Sequence, residues 1–387
     1  MKALLLVRNL PPKGRSSGRL ALEYGKLLRD SKADVVVLTA DALSGRAERI
    51  REGLTVRNLP ELPFFAPEDH LQATLDAARL TNYLTTEFEL LREEDLVLSF
   101  DWCTSLVSSF LSKATGARMH HVYNGAVEAR VGAGGPGGAW ISEMERWALE
   151  SAETQLFPSE SAKAEAERRF GKLGGLERVI PVPISGWVQE SAESREEFRR
   201  SLASPKEQVL LFVGSATRAN GFDLFLDALP AVVYQKPTAR VALVGQGPEE
   251  PELRERLGRL AKTGRIQILG EVADSIYRAL LQVADVLVAP SRYDPNGLKL
   301  WEAAAFNLPT VALSNECAHE AAREGCLVKL MEHADPTLLS ERILECLSSR
   351  PKPSARQAVD QARLARERTA RERTAALLHH ERSVVEE

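Results

Sequence analysis

Residues 284–314 read ADVLVAPSRYDPNGLKLWEAAAFNLPTVALS, and the alternation of element types within this stretch decides the fold class. Val286-Leu287-Val288 is the apolar run of a buried parallel strand. A loop from Ser291 to Asn296 carries Asp294, and a helix starts near Gly297 with Leu298, Leu300 and Trp301 apolar and Glu302 on its second turn. Pro309 ends that helix, and Thr310 to Leu313 read as the next strand. A loop leaving the C-terminal end of a parallel strand and entering a helix is where α/β folds bind ligands. The amides of Gly297 and Leu298 are expected to face that crevice as anion donors, flanked by Asp294, Lys299 and Glu302. Asp294-Pro295 also suits an ordinary N-cap and first-turn pair, and Glu302 also suits a solvated helix carboxylate, so both alternatives stand at this point.

The rhythm continues upstream. Gln208 to Val213 is a buried strand, followed by a turn from Gly214 to Gly221 and a helix from Phe222 to Val233. Ala239 to Val244 is the next strand and ends in Gly245-Gln246-Gly247; Glu250 stands where a dinucleotide fingerprint has its third glycine, which favours a plain tight turn. Helix 252–261, strand 266–269, the turn Gly270-Glu271-Val272 and helix 275–284 complete the run to the opening stretch. Beyond it lie a helix at 336–347 and a tail from Pro353 that alternates Arg, Glu, Ala and Leu. That pattern is a solvated helix with i,i+4 pairs, not a nucleic-acid arm, because glutamates balance the arginines.

The first half repeats the scheme with weaker punctuation. Strands are expected at 3–7, 34–39, 95–99, 119–123, 155–157 and 179–184, with helices at 19–31, 69–92 and 140–152. The loop from Pro11 to Gly18, with Gly14, Ser16 and Ser17, either cradles a phosphate or is a surface turn. Lys13, Arg15 and Arg19 are expected to be solvated, with a lipid phosphate or an anionic sugar as the alternative contact. Val131 to Gly138 is the most glycine-dense stretch and is expected to be a loop over a cleft. His120 and His121 are adjacent on a strand, so one at most reaches a site, and a structural role is the favoured reading. The sum is two doubly wound parallel-sheet domains of the α/β class, 1–186 and 187–350, with ligand loops facing across a cleft. A helical tail at 351–387 follows, with a return onto the N-terminal domain as one option.

The totals bound the function. At 387 residues, a prior of roughly 150 residues per domain gives two or three domains, with ample material for real cores. A formal charge of −4 gives no electrostatic case for nucleic acid. Cys103, Cys317, Cys326 and Cys346 have no metal-site spacing and suit a reducing compartment. The start, MKALLLVRNL, reads as a first strand rather than a leader, and no stretch reaches the ~20 apolar residues of a spanning helix. A cytoplasmic location, with at most peripheral membrane contact, is the expectation.

Pro290-Ser291, Asp294, Gly297, Glu302-Ala303, Ala305 and Pro309, together with Phe212-Val213-Gly214, Gly221, Val244-Gly245-Gln246-Gly247-Pro248 and Leu269-Gly270-Glu271-Val272, resemble in order and spacing the retaining glycosyltransferases of the GT-B fold, specifically family 4. The likeness covers about residues 195–350 well and the first half loosely, through Gly14 to Gly18, Phe100-Asp101-Trp102 and Asn124-Gly125. It implies two Rossmann-like domains and transfer of a hexose from a nucleotide diphosphate sugar to an acceptor of unknown identity. By resemblance, Glu302 holds the ribose hydroxyls and Asp294 touches the donor sugar. Gly297 and Leu298 offer amides to phosphate, and Gly270, Glu271 and Val272 lie against the base. Asn124 and the Gly14–Gly18 loop meet the reacting sugar or acceptor. The family's diphosphate clamp of one Arg and one Lys is here Ser215 and Asn220, with Arg218 and Lys299 as replacement cations; its cleft histidine is Asn124, and its first acid is shortened to Asp294. No Asp-x-Asp occurs, so neither a metal nor another cofactor is expected beyond the sugar nucleotide. Loss of the clamp leaves a second reading open, a GT-B protein that binds or assembles without transferring. A GT-B epimerase or phosphorylase is a weaker third, since the two-acid signature belongs to the transferases.

Overall fold

The computed structural model describes residues 1–11, 15–39, 48–58, 78, 80–82, 84–86, 91–126, 138–183, 191–247, 251–349 and 353–378. The chain divides into two compact units, Met1–Pro183 with Arg366–Glu387, and Ile184–Ala365.

The first unit runs β1 (Lys2–Val7), α1 (Arg15–Asp30), β2 (Asp34–Thr39), β3 (Glu48–Arg51), β4 (Leu54–Asn58), β5 (Leu96–Ser99), α2 (Trp102–Thr115), β6 (Arg118–Val122), α3 (Gly138–Ser151), β7 (Thr154–Phe157), α4 (Glu160–Phe170) and β8 (Leu176–Val179). Its eight strands lie in the order β3-β4-β2-β1-β5-β6-β7-β8, parallel except for the antiparallel pair β3–β4. That edge hairpin escapes a reading of the sequence because Glu-Arg-Ile-Arg has no apolar run. Its turn residues Glu52 and Gly53 sit at φ 50° and 78°, the left-handed pair a tight hairpin requires. Strand β8 lies earlier than the expected 179–184, because Pro181 and Pro183 have no N–H to give a ladder. The expected helix at 69–92 falls mostly outside the described residues; positions 78, 80–82 and 84–86 are helical, and 91–94 are not.

The second unit runs α5 (Ala192–Leu202), β9 (Gln208–Val213), α6 (Phe222–Gln235), β10 (Ala239–Val244), α7 (Pro251–Ala261), β11 (Ile266–Gly270), α8 (Asp274–Val283), β12 (Val286–Ala289), α9 (Leu298–Ala304), β13 (Thr310–Leu313), α10 (Glu316–Arg323), β14 (Val328–Met331) and α11 (Pro336–Ser348). All six strands are parallel, in the order β11-β10-β9-β12-β13-β14. Successive strand residues face opposite sides, so an uninterrupted apolar run means both faces are covered. Leu211, Val213, Leu287 and Ala289 pack with Tyr277, Leu280 and Trp301 on one face. Leu210, Phe212, Val286 and Val288 pack with Phe222, Phe225 and Ile343 on the other, where Phe212 stacks on Phe225 at 5.1 Å.

Helix α12 (Pro353–Leu378) is shared. Val359 is buried with the core of the second unit. Arg366, seven residues on, donates to the carbonyls of Val182 and Pro158 at 3.2 Å each, and Arg373 donates to Val179 O. The division thus falls inside this helix, at Ala365/Arg366, rather than at its start. Among the described residues no helix is long and apolar enough to cross a membrane.

Candidate functional site

Strand order alone marks a place in each unit. In the second unit the order reverses between β9 and β12, and the crevice outside the carboxyl ends of two such strands is the general ligand position of open α/β sheets. The loop after β9 (Gly214–Gly221) and the loop after β12 (Pro290–Asn296) both start there. They are in contact: Arg292 N donates to Ala219 O at 2.9 Å. Gly221 makes the approach possible. It sits at φ +70°, and a Cβ on it would lie 2.0 Å from Pro290 O, a clash with backbone that no side-chain movement relieves.

Around the start of α9 the sequence candidates converge. Asp294 Oδ1 accepts from the Gly297 amide at 3.0 Å, so one of the two amides expected to receive an anion is already taken. The N-cap of α9 is Gly297 itself, with no side-chain cap, so Asp294-Pro295 closes the turn before the helix and is not its N-cap and first-turn pair. Lys299 Nζ donates to Ser291 Oγ at 2.8 Å and lies 3.8 Å from Asp294 Oδ2; its side chain is 17% exposed. Glu302 is buried at 8% exposure, which rules out the solvated-carboxylate alternative, and its Oε2 accepts from the Tyr277 hydroxyl at 2.6 Å. Tyr277, from α8, carried no signal in the sequence: an aromatic at helical spacing among leucines reads as core, which its ring also is. Gly270 ends β11, Glu271 and Val272 follow it at the same end of the sheet, and Gly245 N donates to Gly270 O at 2.8 Å.

The loop after β9 is held by neutral groups. Asn220 Nδ2 donates to Ser215 O at 2.9 Å and contacts Thr217 Oγ1 at 3.3 Å, so Asn220 closes the turn on itself where the family carries a lysine. Arg218 pairs with Asp223 at 3.5 Å and Glu252 at 3.0 Å. Asp223 is gripped from the other side by Arg292, two parallel bonds at 2.7 and 3.0 Å. Burial alone would raise the Asp223 carboxyl, but the Arg292 hydrogen bonds and charge outweigh it and hold the group below its usual range. Neither Arg292 nor Asp223 stood out in the sequence, because they lie 69 residues apart.

In the first unit the corresponding reversal lies between β1 and β5. There Asp101 accepts from the Arg8 amide at 3.0 Å and caps α2, with Thr104 completing a capping box, while Trp102 meets Trp140 edge-on at 5.2 Å. Of the expected phosphate loop, Gly14 and Lys13 lie outside the described residues. Ser16, Ser17 and Gly18 belong to the first turn of α1 and not to a loop, which corrects the expected helix start at Arg19. Gly18 is needed for close approach, since a Cβ there would stand 2.4 Å from Asn9 O. Ser16 Oγ donates to Asn124 Oδ1 at 2.5 Å, so these two candidates do come together. Arg19 is not a solvated cation: it is 3% exposed and pairs with Glu23 and Glu52. His120 and His121 are both buried, and burial pushes them down to about 3 and about 4; His121 Nδ1 shares a hydrogen bond with Ser99 Oγ at 2.7 Å. Both are neutral structural groups. The glycine-dense stretch at 131–137 lies outside the described residues.

Residues 207–349 match the family model described as glycosyl transferases group 1. An uncharacterized glycosyltransferase of Methanocaldococcus jannaschii is 30% identical over 160 residues, 40% of this chain and 41% of that protein, so the chain matches less than half the length of this relative. Two solved structures align along nearly the whole chain. They are sucrose-phosphate synthase from Thermosynechococcus elongatus (TM-score 0.73, 18% identity, 98% of each chain) and Anabaena HepE in complex with UDP and glucose (TM-score 0.73, 18% identity, 98% of this chain and 100% of that one). The fold is GT-B, two Rossmann-like parallel-sheet domains.

Proposed function

We propose that the protein is a retaining glycosyltransferase that takes a hexose from a nucleotide diphosphate sugar and gives it to an acceptor hydroxyl, with the second unit as the donor side. The observation that carries this is the gathering of Asp294, Lys299 and Glu302 where strand order reverses in the part of the chain that matches glycosyl transferases group 1. Glu302, an acceptor-only carboxylate, holds the ribose hydroxyls. Lys299 takes the role of the absent Arg/Lys clamp and neutralises the diphosphate, since Asn220 is committed to Ser215 O and Arg218 to Asp223 and Glu252. Asp294 orients the sugar while one of its oxygens holds the Gly297 amide. The anomeric C–O bond to diphosphate breaks, the acceptor oxygen bonds to the same face of that carbon, and the hydroxyl proton leaves with the diphosphate. Fixed charge near the leaving group is the main source of acceleration in such a site. The residues need no metal or other cofactor for these roles. Ser16 and Asn124 of the first unit serve the acceptor or the reacting sugar. No nucleic-acid partner is proposed, and contact with a membrane is peripheral at most.

The test is turnover of UDP-, GDP- and ADP-hexoses by the wild-type protein and by Lys299→Met. Release of nucleoside diphosphate by wild type, reduced roughly 10- to 100-fold in the variant, is the expected result. One observation favours the second reading, a binding protein without transfer: the turn from Gly214 to Gly221 is closed by Asn220, and its one cation, Arg218, pairs with Asp223 and Glu252. Turnover that appears only in Ser215→Arg/Asn220→Lys would select that reading.

A further inference from the structure

We infer that Tyr277 is a positioning residue: by fixing one oxygen of Glu302 from inside the core, it makes the site select a ribonucleoside diphosphate over its 2′-deoxy counterpart. The inference rests on Glu302 being the ribose-holding carboxylate proposed above. Tyr277 lies on α8, 25 residues before Glu302, and is 1% exposed. Its ring packs in the cluster of Leu280, Leu281, Leu300 and Trp301. Phenylalanine would fill that volume equally well. A phenol oxygen set this deep loses its water, and the geometry shows what it gains instead: a 2.6 Å bond to Glu302 Oε2, at the short end expected for O–H donating to a carboxylate.

A glutamate has three rotatable side-chain bonds, and a carboxylate that must meet a vicinal diol has to present its plane in one orientation. Packing of α9 fixes the Cα of Glu302, whose neighbours Ala303 and Ala304 are also buried, but apolar packing does not choose how the terminal carboxylate turns. The Tyr277 hydroxyl does. It approaches from the core side, so the orientation is set before a nucleotide arrives, and ligand binding does not have to order the group. A pre-set carboxylate rewards a ligand that carries both ribose hydroxyls and penalises one that lacks the 2′-hydroxyl, because the second acceptor position is then left without a partner. Tyr277 thus acts through Glu302 and touches no reacting atom.

The experiment is calorimetric titration of wild-type protein, Tyr277→Phe and Glu302→Gln with UDP, GDP and ADP, and with the 2′-deoxy form of each nucleotide that binds. Expected is a roughly tenfold loss of ribonucleotide affinity in Tyr277→Phe, about the value of one charge-assisted hydrogen bond, with a much smaller loss for the deoxynucleotide. The ribo-to-deoxy ratio then collapses toward that of Glu302→Gln. Equal weakening of both forms, or none, with wild-type binding intact, overturns the positioning role and leaves the donor site standing. Wild-type protein that binds none of the three overturns both. Should the phenylalanine variant fold poorly, 3-fluorotyrosine placed at 277 keeps shape and hydroxyl but donates more strongly; the ratio should rise, and an unchanged ratio overturns the inference.

Discussion

The two places where strand order reverses are built from similar parts and treat their polar groups differently. In the first unit the acid beside β5, Asp101, is committed to a backbone amide and a helix cap, and the buried histidines are neutral. In the second unit one acid, Asp294, accepts from the Gly297 amide and lies 3.8 Å from Lys299, while a second, Glu302, is buried and accepts from a tyrosine hydroxyl. Two like sheets therefore do not make two like sites. What distinguishes the second is a buried carboxylate that accepts from a tyrosine hydroxyl of the neighbouring helix.

Three perturbations sharpen the contrast, beginning with the largest. His120 and His121 bind protons in the unfolded chain near their ordinary value but, folded, only near pH 3 to 4. Between those values the unfolded state holds more protons, so stability falls as pH falls. Between pH 7 and pH 5 the loss should reach about 4 kcal/mol for the two together. Urea denaturation at the two pH values checks this, and hydrogen exchange should assign the loss to the first unit. Next come the two close-approach glycines. Gly221→Ala should cost about 3 kcal/mol or more, since a backbone clash adds to a left-handed φ, whereas Gly18→Ala should cost less because its clash comes without that strain. Thermal unfolding of the two variants ranks them. The smallest effect is Asp223→Asn, about 1–2 kcal/mol, as Arg292 is partly exposed and water screens the pair. Because the folded carboxyl lies below its usual value, that contribution is present above about pH 4 and disappears as pH drops through the folded value, so wild type and variant should converge in acid.

Much of the second unit was legible because its strands are continuous apolar runs bounded by Gly and Pro, with loops of near-fixed length. The first unit was harder to read for identifiable reasons. Its edge hairpin alternates charged residues, and its helix α1 starts at Arg15, where serines and a glycine suggest a loop. Of the site, Asp294, Lys299 and Glu302 were visible since they share 9 residues of chain. Tyr277 and the Asp223–Arg292 pair were not, because side chains brought together by strand order leave no local pattern. At Gly297 the expected anion-receiving amide donates to the Asp294 carboxylate three residues earlier, a local competition the sequence pattern does not show.

The central claim is that the second unit holds the nucleotide through Glu302 and the first does not. Calorimetric binding of UDP, GDP and ADP to wild type, Glu302→Gln and Asn124→Ala tests it most directly. The account predicts one site in wild type for at least one of the nucleotides, roughly 100-fold weaker binding in Glu302→Gln from loss of the charge-assisted bonds to ribose, and near-wild-type affinity in Asn124→Ala. Binding that survives Glu302→Gln but is lost in Asn124→Ala, or the absence of binding to folded wild-type protein, would contradict it.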